Sequence, residues 1–161
     1  MRSNYSFIFL LFLTLLALPV TSNAKSIGSI QINTESGVVA LSSYKGQVIY
    51  LDFWASWCAP CKKSFPWLNE IQKKYAKYNF RVIAVNLDKE PELAKRFLQN
   101  YPAAFLIGYD PEGNIASQFK VNGMPSSYLI DRSGNIVSTH IGFREKDTAA
   151  LESKIKALLA R

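Results

Sequence analysis

From Val48 to Trp54 every side chain except Asp52 is apolar. So continuous a run predicts a strand covered on both faces, as in the middle of a largely parallel sheet. The pattern changes at Ala59: Leu68, Ile71, Tyr75 and Tyr78 recur at helical spacing, which predicts a helix with one buried stripe. Pro66 falls inside it and has no amide hydrogen to give the carbonyl of Lys62, so a kink is expected there. Further on, Arg81 to Leu87 reads as a strand, and Glu90 to Asn100 as a helix with Pro91 in its first turn. Ala104 to Ile107 reads as a short strand, 110–113 as a turn and Ile115 to Phe119 as a short helix. Ser126 to Ile130 and Asn135 to Ile141 flank a turn at Asp131-Arg132-Ser133-Gly134 and predict an antiparallel hairpin. A last helix, from about Lys146 to Leu159, puts Leu151, Ile155, Leu158 and Leu159 on one stripe. Residues 26 to 47 interleave short apolar pieces with Gly28, Gly37 and Gly46 and read as an N-terminal hairpin or edge strand. The fold class is therefore α/β, a mixed sheet flanked by helices on both sides.

The first 24 residues differ in kind. Arg2 precedes Phe7 to Leu18, where only Thr14 is polar, and this run is shorter than a membrane span usually needs. Pro19 follows, and then Ser22-Asn23-Ala24 places small residues at the minus-three and minus-one positions of a signal-peptidase site. Residues 1–24 are read as a signal peptide cleaved after Ala24, with 25–161 as one exported domain. The alternative is an uncleaved anchor facing the periplasm, the only case in which membrane contact is expected.

The chain has 161 residues, 48% hydrophobic and 19% charged, with a formal net charge of +7. That composition is globular and excludes disorder and a polytopic membrane protein. The basic residues are spread out, as in Lys62, Lys63, Lys73, Lys74 and Lys77, without the interleaved aromatics that stack on single strands. No nucleic-acid partner is expected of an exported protein with this pattern. With one histidine, His140, and two cysteines, a tetrahedral zinc site would need a carboxylate or a second molecule. Neither a metal nor any other cofactor is expected.

The two cysteines are Cys58 and Cys61 in Trp57-Cys58-Ala59-Pro60-Cys61, at the junction of the buried strand and the helix. A thiol at a helix N-terminus meets unpaired amides and the positive end of the macrodipole, which favour its thiolate. Cys58 is the expected nucleophile. Cys61, nearly a turn further in and less accessible, is the expected resolving thiol that attacks a mixed disulfide on Cys58. A purely structural bridge is disfavoured, because closing so small a loop removes little entropy from the unfolded chain.

Asp52 lies in a strand so apolar that its carboxylate must be hydrogen-bonded, protonated or functional. Val48, Tyr50, Asp52 and Trp54 share one face of an ideal strand. Burial would raise the Asp52 pKa toward neutrality and let it take the Cys61 proton; the other reading is a satisfied core aspartate. Trp57 is either core or a flat apolar rim for a client chain. Met124 precedes Pro125 and is expected to be extended, with its backbone available to an extended substrate.

Asp52-Phe53-Trp54-Ala55-Ser56-Trp57-Cys58-Ala59-Pro60-Cys61-Lys62, with Pro66, Gly123-Met124-Pro125 and Gly142, resembles the thioredoxin superfamily over nearly the whole chain after the leader. The resemblance implies a thioredoxin-like sheet, a cis Pro125 packed beside Cys58, and Asp52 as the buried acid behind Cys61. The helix and strand read between Asp88 and Pro125 exceed what plain thioredoxin carries, and so the chain resembles the exported TlpA/ResA-like branch with its extra strand-helix insertion. That branch implies a periplasmic thiol:disulfide reductase, with cytochrome c maturation among its roles and a membrane thiol transporter of the DsbD or CcdA type as electron donor. The chain departs from the cytochrome-maturation members at Ser64, where they usually carry glutamate, and many of them lack the aspartate present at Asp52. Three other readings are weighed against reduction of client disulfides: an oxidase or isomerase, a copper or peptide chaperone, and a peroxide reductase. Ala59-Pro60 lacks the histidine of strong oxidants, His140 fits no metal motif, and Ala55 stands where peroxidases carry threonine.

Overall fold

The computed structural model describes residues 27–161; the leader read at residues 1–24 lies outside them. Among the described residues, seven strands form one sheet: β1 (Gln31–Thr34), β2 (Gly37–Ala40), β3 (Val48–Trp54), β4 (Phe80–Asn86), β5 (Leu106–Tyr109), β6 (Ser126–Ile130) and β7 (Ile136–Ile141), in the order β2-β1-β5-β4-β3-β6-β7. β3, β4 and β5 run parallel, and the strands outside them pair antiparallel. The helices are α1 (Ala59–Tyr75), α2 (Pro91–Asn100), α3 (Asn114–Phe119) and α4 (Thr148–Leu159).

β3 is an interior strand between β4 and β6 and is buried at every position, including Asp52. Its even-numbered residues Val48, Tyr50 and Trp54 enter one core with Phe65, Leu68 and Ile71 of α1, Phe97 of α2 and Leu151, Ile155 and Leu158 of α4. Its odd-numbered Ile49, Leu51 and Phe53 enter the other, with Ile32, Ile83 and Phe119 of α3. This alternation is the period-two geometry of a strand with both faces packed. Trp54, Phe65 and Phe97 meet with ring centroids 4.6 to 4.9 Å apart and seat the start of α1 on the sheet. Pro66 lies inside α1, which stays one helix from Ala59 to Tyr75. β5 admits a close neighbour at Gly108, where any Cβ would run into the side chain of Ile32.

Most elements match the reading from sequence, and the differences have local causes. β5 starts two residues later than the apolar run at Ala104, because the Ala104 amide donates to Asn69 Oδ1 (2.7 Å) on α1 instead of to a neighbouring strand. β4 begins one residue earlier, where Phe80 pairs with Val48. The last helix starts at Thr148, after a 3-10 turn over Glu145–Asp147. β6 begins at Ser126, so Met124 stands in the bend before it. The inserted α2 and β5 place β5 between β1 and β4, on the far side of β3 from β6.

Candidate active site

The chain leaves β3 at Trp54 and turns through Ala55-Ser56-Trp57 into α1. Cys58 caps that helix with extended backbone (φ −78, ψ 101), and its Sγ accepts the Cys61 amide hydrogen at 3.2 Å. The sulfur thus occupies the place an N-cap oxygen usually takes, against the unpaired amides of the first turn. Pro60 stands in that first turn, where no intrahelical partner for its nitrogen is needed. Cys58 and Cys61 are joined in a disulfide, with Cα atoms 5.3 Å apart. Cys58 is 3% exposed and Cys61 fully buried. Cys58 is the slightly more exposed of the two, and the margin is narrow because its Sγ lies against the first turn of the helix. Trp57 beside it is 69% exposed, which places it on the rim and not in the core.

The turn before Cys58 is anchored at Ser56 from the segment that follows β4. Asp88 accepts the Ser56 amide (2.8 Å), the Ser56 hydroxyl (2.9 Å) and the Asn86 side-chain amide (2.8 Å). Sequence reasoning missed this clamp. Its only trace is a polar Asn86 and Asp88 at the end of an apolar strand, and the partner lies 32 residues away. Replacing Asp88 with Ala leaves these donors without their acceptor and is expected to cost about 2 kcal/mol of unfolding free energy. Urea titration checks the loss, and faster hydrogen exchange at the Ser56 amide checks that the turn itself has loosened.

Asp52 is 1% exposed, on the β3 face that carries the two cysteines' core. Ser127 on β6 donates its hydroxyl hydrogen to Asp52 Oδ1 at 2.6 Å, while Oδ2 has no hydrogen-bond partner among the described residues. Burial pushes the Asp52 pKa up to about 7, with the Ser127 bond acting against it. Tyr50, on the same face, has its phenol pushed up by its own burial and then by the Asp52 charge. Ser127 had no signal in the sequence, because it is brought to Asp52 only by the β3–β6 register.

The Met124–Pro125 peptide bond is cis. The Pro125 carbonyl accepts the Gly142 amide hydrogen at 2.7 Å, which ties the bend before β6 to the end of β7. Met124 is half-buried against the core that holds Cys58 and Cys61. Ser64, where the cytochrome-maturation pattern has glutamate, is buried and donates to the Cys61 carbonyl at 3.1 Å. A carboxylate is thus replaced by a hydroxyl spent on its own helix. His140 lies on β7, with Nε2 3.7 Å from Asp147 Oδ2. Among the described residues no three His, Cys, Asp or Glu side chains group together to hold a metal ion.

A Cys-x-x-Cys disulfide at the N-terminus of the helix that follows a buried interior strand, with a cis-proline bend whose Met124 packs on the same core, is the arrangement of a thiol:disulfide oxidoreductase of the thioredoxin-like fold. The chain belongs to the Redoxin family, which matches residues 19–159, and within it is TlpA/ResA-like. It is 33% identical over 113 residues to the thiol-disulfide oxidoreductase ResA of Bacillus cereus, covering 70% of this chain and 65% of that protein. The ResA of Bacillus thuringiensis subsp. konkukian is 32% identical over 124 residues, 77% of this chain and 70% of the relative. Among solved structures, a Chlorobium tepidum protein assigned as thiol:disulfide interchange protein DsbE superposes with a TM-score of 0.81 at 47% identity, over 83% of this chain and 95% of that one. StoA from Bacillus subtilis gives 0.65 at 26% identity, over 77% and 93%.

Proposed function

We propose that this protein is an exported reductase of disulfides in periplasmic client proteins. The observation that carries the exchange chemistry is Cys58 Sγ at the helix N-cap, accepting the Cys61 amide hydrogen, and the reducing direction is supported by Ala59-Pro60, which lacks the histidine of strong oxidants. The N-cap is the position that favours a thiolate once the bridge is open. In the reduced protein the Cys58 thiolate attacks a client disulfide, breaking the client S–S bond and forming a mixed disulfide. Cys61 then gives its proton to Asp52 and attacks Cys58 Sγ. The client leaves with both sulfurs as thiols, and the Cys58–Cys61 disulfide is re-formed. Trp57, Met124 and cis Pro125 form the face that receives the client chain.

Each cycle consumes two electrons, and an oxidising compartment does not return them. The donor is a membrane thiol transporter of the DsbD or CcdA type. Apocytochrome c is one client class, and Ser64 in place of glutamate favours a broader range. No helix among the described residues is long and apolar enough to cross a membrane. Export rests on the reading of residues 1–24 as a leader. Equilibration against a dithiothreitol buffer tests the direction. The potential is expected nearer to about −270 mV than to about −120 mV, together with reduction of insulin. A value near the upper figure would make the protein an oxidase.

A further inference from the structure

The polar line that begins at Asp52 continues past Ser127. The ladder registers set Asp52 opposite Ser127, and Ser127 opposite His140. Directly opposed residues on neighbouring strands share a face. A carboxylate, a hydroxyl and an imidazole therefore form one row across β3, β6 and β7, on the face covered by α4. Ser127 and His140 also line a common void of ≈ 10 Å³, with Tyr50, Ser138 and Lys154 among its other walls. That is about the room one water takes.

Both ends of the row have a buried polar atom without a hydrogen-bond partner among the described residues: Asp52 Oδ2 at one end and His140 Nε2 at the other. The His140 side chain is 22% exposed, so the row runs from a closed interior to the edge of the molecule. Around the imidazole stand Tyr50 from β3, Lys154 from α4, whose Nζ is 3.0 Å from Ser138 Oγ, and Asp147 at the start of α4. Asp147 is itself bonded by Arg144 at 2.7 Å.

We propose that Ser127 and His140 are positioning residues that pass protons between Asp52 and solvent, an inference that rests on Asp52 acting as the base for Cys61. Once Asp52 holds the Cys61 proton, its O–H gives that proton to Ser127 Oγ, while the Ser127 hydroxyl hydrogen moves across the void to the imidazole. The imidazole releases a proton on the side that faces Asp147, 3.7 Å away at the edge of the molecule, and the Asp52 carboxylate is restored. No electrons move along the row. The path discharges a carboxylic acid that is 1% exposed once per catalytic cycle.

The test is insulin reduction by the full chain at low buffer concentration, with His140→Gln, Ser127→Ala, Ser127→Thr and Asp52→Asn as variants. His140→Gln and Ser127→Ala are expected to slow turnover by about tenfold. Added imidazole restores the rate of His140→Gln without accelerating the wild type, and Ser127→Thr recovers most of what Ser127→Ala loses. A slow His140→Gln that imidazole does not rescue indicates a structural role and overturns the relay, as does a wild-type rate in both His140→Gln and Ser127→Ala. Asp52→Asn separates the two layers. If it is slow while His140→Gln is normal, the relay alone fails; if it turns over at the wild-type rate, the reading of Asp52 as the base fails first.

Discussion

Cys61→Ala, reduced and mixed with an oxidised client, is expected to halt as a mixed disulfide on Cys58, whereas Cys58→Ser captures nothing. Insulin reduction by Cys58→Ser should fall by more than about 10³-fold, since the one remaining thiol, Cys61, is fully buried. The asymmetry follows from the helix start. Cys58 is 3% exposed, with its Sγ against the amide end of α1, while Cys61 is sealed at 0% and reaches only the Cys58 sulfur. Mass spectrometry of the trapped adduct after acid quenching reads the result. Equal capture by both variants would remove the division of labour between the two thiols.

Asp52→Asn is expected to change stability in a pH-dependent way and to slow the resolving step. The Asp52 pKa is about 7 in the folded protein against an ordinary 3.8. Below about pH 4 the carboxyl is protonated in both states and its burial carries no charge penalty. Between about pH 4 and 7 the folded state keeps a proton that the unfolded state has released, so stability falls as pH rises. The full loss, of the order of 4 kcal/mol, is reached above the folded pKa. Asparagine has no proton to lose and can still accept from Ser127. Urea midpoints of the oxidised protein should therefore nearly coincide with wild type at pH 4 and exceed it at pH 8. Parallel pH profiles for the two proteins would show that Asp52 keeps its ordinary acidity. In the reduced protein the same substitution should slow release of a trapped client by about 10²-fold, the usual scale of one general base.

What the sequence could show was set by the range over which its signals act. The fully apolar run Val48–Trp54 with one carboxylate announces a central strand, and Cys58-Ala59-Pro60-Cys61 announces the helix start. Both are local patterns, and both appear in the structure where expected. Ser127, Asp88 and His140 gave no such signal. Ser127 lies 75 residues from Asp52 and Asp88 lies 32 from Ser56, and only strand register and a loop crossing bring them together. Even the misplaced start of β5 has this origin. Ala104 looks like strand, but its amide is claimed by Asn69, 35 residues earlier.

The three indoles of this chain occupy very different surroundings: Trp54 is 0% exposed, Trp67 9% and Trp57 69%. Only the last is open to a collisional quencher such as iodide, and it is the neighbour of Cys58 in the chain. Unlabelled protein thus carries its own optical reporter, in which shielding of a single emitter follows the arrival and departure of whatever docks over the sulfur.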